Sequence, residues 1–291
     1  MATQKQPDGF FPNIFAGGVA GGVAAVITSP LEVIKTRLQS SKLYGTGLNQ
    51  GLCRCLQDAV NNEGKRALFK GLGVTLLGVI PSRAVYFTTY TQGKRLFENG
   101  TRSPFQIHVY SSVLTGAVNV TWSNPLFVIR TRQQLQVDSK GRPMLSFWKC
   151  MVDTFRSDGI LGFTRGMSAS YIGITETVMA LVLWEQFKKK INESYGAGPI
   201  QSAVAAAGAK LIATTIAYPH EVIRTRLRET AGKDRKFKGF RQTVLLTIEE
   251  EGVRGLYRGL LPQLFRVVPN HAIMFLTFEM ILRVLRTDNP P

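Results

Sequence analysis

The residues of this chain whose types and spacing suggest chemistry are charged pairs, not nucleophiles. Its 291 residues hold no nucleophile–base constellation, phosphate-binding Gly-rich loop or dinucleotide fingerprint. Cys53-x-Cys55 has no second Cys/His pair at zinc spacing and Cys150 stands alone, so no metal site and no disulfide framework are expected. His108, His220 and His271 are scattered, which suits structural or interfacial roles. What recurs is a proline with an acid two residues on and a base five residues on: Pro30-x-Glu32-x-x-Lys35 and Pro219-x-Glu221-x-x-Arg224. The middle copy, Pro125-x-Phe127-x-x-Arg130, replaces the acid with an aromatic ring. Acid and base three apart share one helical face. Their chemistry is reversible ion pairing; neither an enzyme activity nor a cofactor is expected.

The elements that position these residues come in triplicate. The three prolines stand 95 and 94 residues apart. A second landmark follows each: Glu63-Gly64 leading to Lys70-Gly71, Asp158-Gly159 leading to Arg165-Gly166, and Glu251-Gly252 leading to Arg258-Gly259. The chain therefore reads as three units, 1–100, 101–195 and 196–291, of one integrated domain. In each unit an apolar stretch rich in small residues precedes the proline (10–29, 105–124, 199–218). A second follows the basic-Gly landmark (72–93, 167–187, 260–282). Each approaches the ~20 residues that a membrane-spanning helix needs. Gly, Ala, Ser and Thr dilute their hydropathy, yet the same residues permit close helix packing in lipid, as in Gly18-x-x-x-Gly22. A soluble bundle of six amphipathic helices is the competing reading; the basic residues, clustered at stretch ends, favour the membrane. Residues 1–9 are polar and read as neither a presequence nor a signal peptide.

A proline late in an apolar helix kinks it. Three equivalent kinks turn three helix ends toward a common axis, where the acid of one helix meets the base of another. Glu32, Lys35, Arg130, Glu221 and Arg224 then form a ring of at most two ion pairs, with Phe127 placed for a cation–π contact with Arg224. The second stretches carry another triple: Tyr90-Thr91-x-x-Lys94, Trp184-Glu185-x-x-Lys188 and Phe278-Glu279-x-x-Leu282. Lys94 can pair with Glu185, and Lys188 with Glu279. The third link, Leu282 to Thr91, lacks charge on both sides, as a pairing constraint requires. Two such rings at opposite ends describe two gates. The six landmark glycines suit anion binding by free backbone N–H groups, or simple turn chemistry.

On these motifs, from about Phe10 to Arg286, the sequence resembles the mitochondrial carrier family. The resemblance implies an all-α membrane protein. Six transmembrane helices would form three homologous two-helix repeats, each with a short matrix helix, in a threefold pseudosymmetric bundle. It implies alternating access in the inner mitochondrial membrane by a functional monomer. The proline-linked ring would face the matrix, with Gln39 and Gln134 as braces and Arg228 at the third such position. The ring of Tyr90, Lys94, Glu185, Lys188 and Glu279 would face the cytosol, and cardiolipin would sit at Gly64, Gly71, Gly159, Gly166, Gly252 and Gly259. Within the family the likeness is to the pyrimidine nucleotide carriers, on the segments 29–41, 81–87, 169–177, 218–229 and 266–274. An aromatic at position 127 is shared with NAD and folate/FAD carriers, which are the alternative reading. Nucleic acid, which the net charge of +17 alone would admit, is not an expected partner.

Thirteen residues before Thr91, Glu185 and Glu279 stand Gly78, Ile172 and Arg266, matching the family's mid-cavity contact positions. Arg266 is suited to bidentate phosphate contact. Gly173, Glu176, Asn270 and Arg83 flank the same level, and Lys210 lies mid-segment, where a lysine marks function by default. Arg83 has a structural alternative as a partner of Glu176. Arg83, Lys210 and Arg266 together favour a nucleotide such as UTP, CTP or TTP. Asn119 and Trp122 are candidates for the base.

Overall fold

Helices form wherever the apolar stretches stand, because only a helix satisfies every backbone N–H and C=O within its own segment. The computed structural model describes residues 10–41, 52–98, 103–136, 146–195, 198–229 and 236–287. The first unit comprises α1 (Phe10–Gln39), α2 (Leu52–Glu63) and α3 (Leu72–Glu98). The second comprises α4 (Pro104–Leu135), α5 (Phe147–Asp158), α6 (Met167–Ile172) and α7 (Ile174–Tyr195). The third comprises α8 (Pro199–Ala217), α9 (Pro219–Glu229), α10 (Phe240–Gly255) and α11 (Leu260–Thr287). No strand occurs among the described residues. A capping box starts α4: Ser103 Oγ accepts from the Gln106 N–H, and Gln106 Oε1 accepts from the Ser103 N–H.

Pro30 and Pro125 lie inside continuous helices, whereas Pro219 begins a new one, so the first segment of the third unit is broken at Tyr218. The second segment of the second unit breaks at Gly173 without a proline; the Thr175 hydroxyl donates to the Ile172 carbonyl there (2.6 Å). Three spans, 16–39, 65–98 and 160–194, are long and apolar enough to cross a bilayer. Large apolar side chains such as Ile27, Leu77 and Leu276 point outward and are exposed. The long helices close into a ring: α1 packs along α3 and α11, α3 along α4, and α7 along α8. The small-residue face makes the first of these contacts close. A Cβ on Gly18 would stand 2.9 Å from Ile80 Cγ1.

The short helices are locked to the long ones by a charged triad, repeated three times. Arg37 and Lys70 both bind Glu63 (2.7 and 2.6 Å), and Arg132 and Arg165 bind Asp158 (2.9 and 2.6 Å). Arg226 and Arg258 bind Glu251 (2.6 and 3.3 Å). The same three arginines tie each unit to the next. The Nε of Arg37 donates to the Gln134 carbonyl, that of Arg132 to the Arg228 carbonyl, and that of Arg226 to the Gln39 carbonyl (3.2–3.3 Å). The residue before each proline holds its own unit's link. Ser29 donates to the Leu68 carbonyl, Asn124 to Phe163 and Arg165, and Tyr218 to Arg258. Burial pushes the Glu63 carboxyl up, but hydrogen bonds and charge from Arg37 and Lys70 overcome this and hold it below its ordinary value. That stabilisation is present above the ordinary carboxylate pKa and is lost as pH falls through the lowered one.

All six landmark glycines have positive φ, between 63° and 83°. They divide into two sets. Gly64, Gly159 and Gly252 face open space. Gly71, Gly166 and Gly259 touch the neighbouring unit: a Cβ on Gly71 would lie 3.3 Å from the Arg130 carbonyl, and on Gly259 3.1 Å from the Lys35 carbonyl. Gly259→Ala is expected to lower the melting temperature in detergent by more than Gly252→Ala does. Both variants incur the ~1–2 kcal/mol of left-handed strain, and only the first also pushes the units apart. Equal shifts would show that the interunit contact carries no stability.

Candidate transport site

At the convergence of α1, α4 and α9, opposite charges meet across units. Lys35 is ion-paired with Glu221, and Arg130 with Glu32. Both pairs are largely buried, and removing one partner of such a pair costs about 3–5 kcal/mol. One helical turn beyond, Thr36 donates to Gln134 Oε1 (2.9 Å) and Thr225 to Gln39 Oε1 (2.8 Å). The two glutamines therefore bridge the helices whose charges pair. At the third position Arg228 has donors but no acceptor. Thr131 turns instead to the Phe127 carbonyl (2.8 Å), and Arg228 is held by Asn124 and Ser170 (2.5 and 2.9 Å). Arg228 then lies over the Phe127 ring at 5.6 Å, with Arg130 at 6.0 Å. The expected contact of Phe127 with Arg224 is thus replaced by contacts with these two arginines. Arg224 contacts Glu221 on its own helix (3.3 Å).

Above this floor lies a cavity of about 290 Å³ between α1, α3, α4 and α11. Gly78, Arg83, Arg266 and Asn270 line it, together with Asn119, Phe127 and the Glu32–Arg130 pair. Arg266 sits 3.9 Å from Glu32 and 3.3 Å from Gln263. Arg83 reaches the Met274 sulfur (3.1 Å) and forms no ion pair with Glu176. The carboxylate of Glu176 is taken instead by Lys210 (2.7 Å) and Thr214 (2.8 Å). Lys210 is therefore not a free cation in this arrangement. Glu176 and Gly173 line a second cavity of about 240 Å³, which adjoins the first at Tyr86 and Asn119. Ile172 lines neither cavity and is exposed. Trp122 is likewise exposed and Asn119 faces both cavities. Glu176, His220 and Glu221 bring ligand atoms within 4.8 Å of one another, but both carboxylates already hold lysines.

Among the described residues the second ring shows no ion pair, and none joins Lys94 to Glu185; Lys94 lies over the Tyr90 ring (5.1 Å) and Lys188 over the Trp184 ring (4.9 Å). Tyr90 bonds His108 on α4 (2.7 Å). The side chains of Glu279 and His271 lie outside the described residues. A further pocket of about 300 Å³ opens beside Gly166 and Gly239, with Arg165 and Lys238 at its edge.

The residues that spacing leaves unnoticed are the triad arginines Arg37, Arg132 and Arg226, and the pre-proline residues Ser29, Asn124 and Tyr218. Both sets recur in register, seven residues after and one before each proline, and that recurrence is their signal.

A three-unit helical bundle, ion-paired at one end around a charged central cavity, is built as a membrane carrier. The family model for mitochondrial carrier proteins matches three times, over residues 6–101, 101–195 and 196–289, and the chain belongs to this family. It is 42% identical to solute carrier family 25 member 36 of Mus musculus, over 94% of this chain and 97% of that protein. It is 39% identical to member 33 of Bos taurus, over 98% of each chain. It is 35% identical to the mitochondrial pyrimidine nucleotide transporter RIM2 of Saccharomyces cerevisiae, over 94% of this chain and 85% of that one.

Glu221→Gln leaves Lys35 buried opposite a neutral group. A drop in melting temperature equivalent to about 3–5 kcal/mol is expected, with partial recovery in Lys35→Met/Glu221→Gln. A double variant as unstable as the single would show that the two charges are not coupled.

Proposed function

We propose that this protein exchanges pyrimidine nucleotides across the inner mitochondrial membrane by alternating access. The observation that carries the reading is the pair of guanidiniums, Arg83 and Arg266, facing one cavity in which Arg83 has no carboxylate partner among the described residues. Guanidiniums recognise phosphate by bidentate contact, and a cavity wall of mixed apolar and amide groups suits a base and sugar. The printed function of the yeast relative, a pyrimidine nucleotide transporter, gives the substrate class. With the proline-linked ring paired and no ion pair in the second ring among the described residues, this state would be open toward the cytosol. Substrate entering from that side binds at Arg266 and Arg83, within reach of the Glu32–Arg130 pair that closes the floor. A ligand drives the change of state only through its greater affinity for the form in which the floor is parting. Arg266 is well placed for this, since it already borders Glu32 and can exchange that neighbour for phosphate.

In the same reading Glu176, held by Lys210, forms part of the wall of the second cavity, and the substrate contacts are Arg266, Arg83, Asn270 and the backbone at Gly78. The pocket at Gly166 and Gly239 is where a cardiolipin phosphate would sit, with Arg165 and Lys238 beside free helix-start N–H groups. The protein acts as a monomer.

Reconstituted in liposomes loaded with UTP, the protein is expected to take up labelled UTP, CTP or TTP. Arg266→Ala is expected to lose most of that exchange, at least tenfold, the least that a charged hydrogen bond of about 1.5–3 kcal/mol would give. Uptake of NAD or folate in place of every pyrimidine nucleotide would overturn the substrate, and full exchange by Arg266→Ala would overturn the site.

A further inference from the structure

The two ion pairs of the floor run one way around the ring. The acid of α1 takes the base of α4, and the acid of α9 takes the base of α1. The same rule would join the acid position of α4, residue 127, to the base of α9, Arg224. Phe127 has no charge to offer, and its ring is engaged by Arg130 and Arg228. Arg224 is left with Glu221 on its own helix, a carboxylate that Lys35 already holds. Its side chain is 30% exposed and lines the second cavity, which adjoins the first.

Among the described residues the floor is short of negative charge. Lys35, Arg130, Arg224, Arg228 and Arg266 are set against Glu32 and Glu221, and the nearby Glu176 is offset by Lys210. The buried Nε groups of Arg130 and Arg266 have no acceptor among the described residues. Unpaired cationic donors in a poorly solvated site are costly until an anion arrives. An anion of several charged oxygens meets that need better than a single carboxylate.

We propose that Arg224 is a phosphate-binding residue of the substrate site, and that a phosphate of the transported substrate takes the ring position that Phe127 leaves without an acid. This rests on the nucleotide reading above and adds to it a specific contact. The base of α9 serves the substrate because the protein gives it no partner across the floor. Affinity then rises with the number of phosphates, since a longer chain can reach Arg224 while still held at Arg266. A residue at 127 that restores the acid competes with the substrate for the same guanidinium.

The test uses the full-length protein in detergent and in liposomes, as wild type, Arg224→Gln and Phe127→Asp. Melting temperature is measured with inorganic triphosphate, pyrophosphate and orthophosphate, and uptake is inhibited with UMP, UDP and UTP. Triphosphate is expected to raise the melting temperature of the wild type, and both variants are expected to lose most of that rise. Phe127→Asp should also be more stable than wild type without ligand. UTP should inhibit Arg224→Gln about tenfold less well, and UMP within about twofold of wild type. A full triphosphate response in Arg224→Gln, or in Phe127→Asp if the first variant does not fold, overturns the proposal, as does an equal loss for UMP and UTP. An Arg224-dependent triphosphate response without uptake of any pyrimidine nucleotide supports the phosphate site and rejects the nucleotide.

Discussion

A charge buried inside a helical bundle in lipid, away from its open cavities, must find its partner within that bundle. Water is not there to solvate it, and the cost of leaving it alone is several kcal/mol. In this protein that requirement fixes where three helices may meet. Lys35 and Glu221 bring α1 to α9, and Glu32 and Arg130 bring α1 to α4. The proline kinks and the broken segment at Tyr218 allow the meeting, and the charges determine its register. Polar side chains one turn beyond, Gln39 and Gln134, then align the same helices through the hydroxyls of Thr225 and Thr36.

Around this junction the molecule separates parts that must move from parts that must not. Each short helix is bound to its own unit by a base–acid–base triad, and each triad arginine also holds a carbonyl of the next unit. The glycines at the start of α3, α6 and α11 let that neighbouring backbone come within van der Waals range. A displacement at one floor pair is therefore felt by the link of the adjoining unit. Among the described residues the second ring is tied across units by the Tyr90–His108 bond and by no ion pair. Its lysines rest on aromatic faces of their own helices, from which they can be withdrawn at little cost.

Much of this is legible in the sequence because it is repeated. One proline motif proves little, but three at nearly equal spacing point to the units and to the charges that meet between them. Repetition also explains what is not legible. The Lys210–Glu176 pair joins α8 to α7 and has no counterpart in the other units, so no spacing rule connects its members. The triads escape because arginine and acid lie 26 or 25 residues apart, beyond any helical period, although each is conspicuous alone. Phe127 points by position to Arg224, yet meets Arg228. That arginine is fixed from below by Asn124 and Ser170, residues whose bearing on the floor only folding reveals. Ile172 occupies the expected place in the count but lines neither cavity, next to a helix boundary at Gly173 that no motif announces.

Both cross-unit floor pairs include α1, and neither joins α4 directly to α9. The closed end is thus a chain with α1 in the middle, not a closed loop. Between α4 and α9 runs a seam held by the Phe127 ring against Arg228, by the hydrogen bond of Arg228 to the Asn124 amide and by an arginine-to-carbonyl bond from Arg132. The closed end is therefore unlike on its three sides: two carry an ion pair, and the third carries an arginine held by an amide and an aromatic ring.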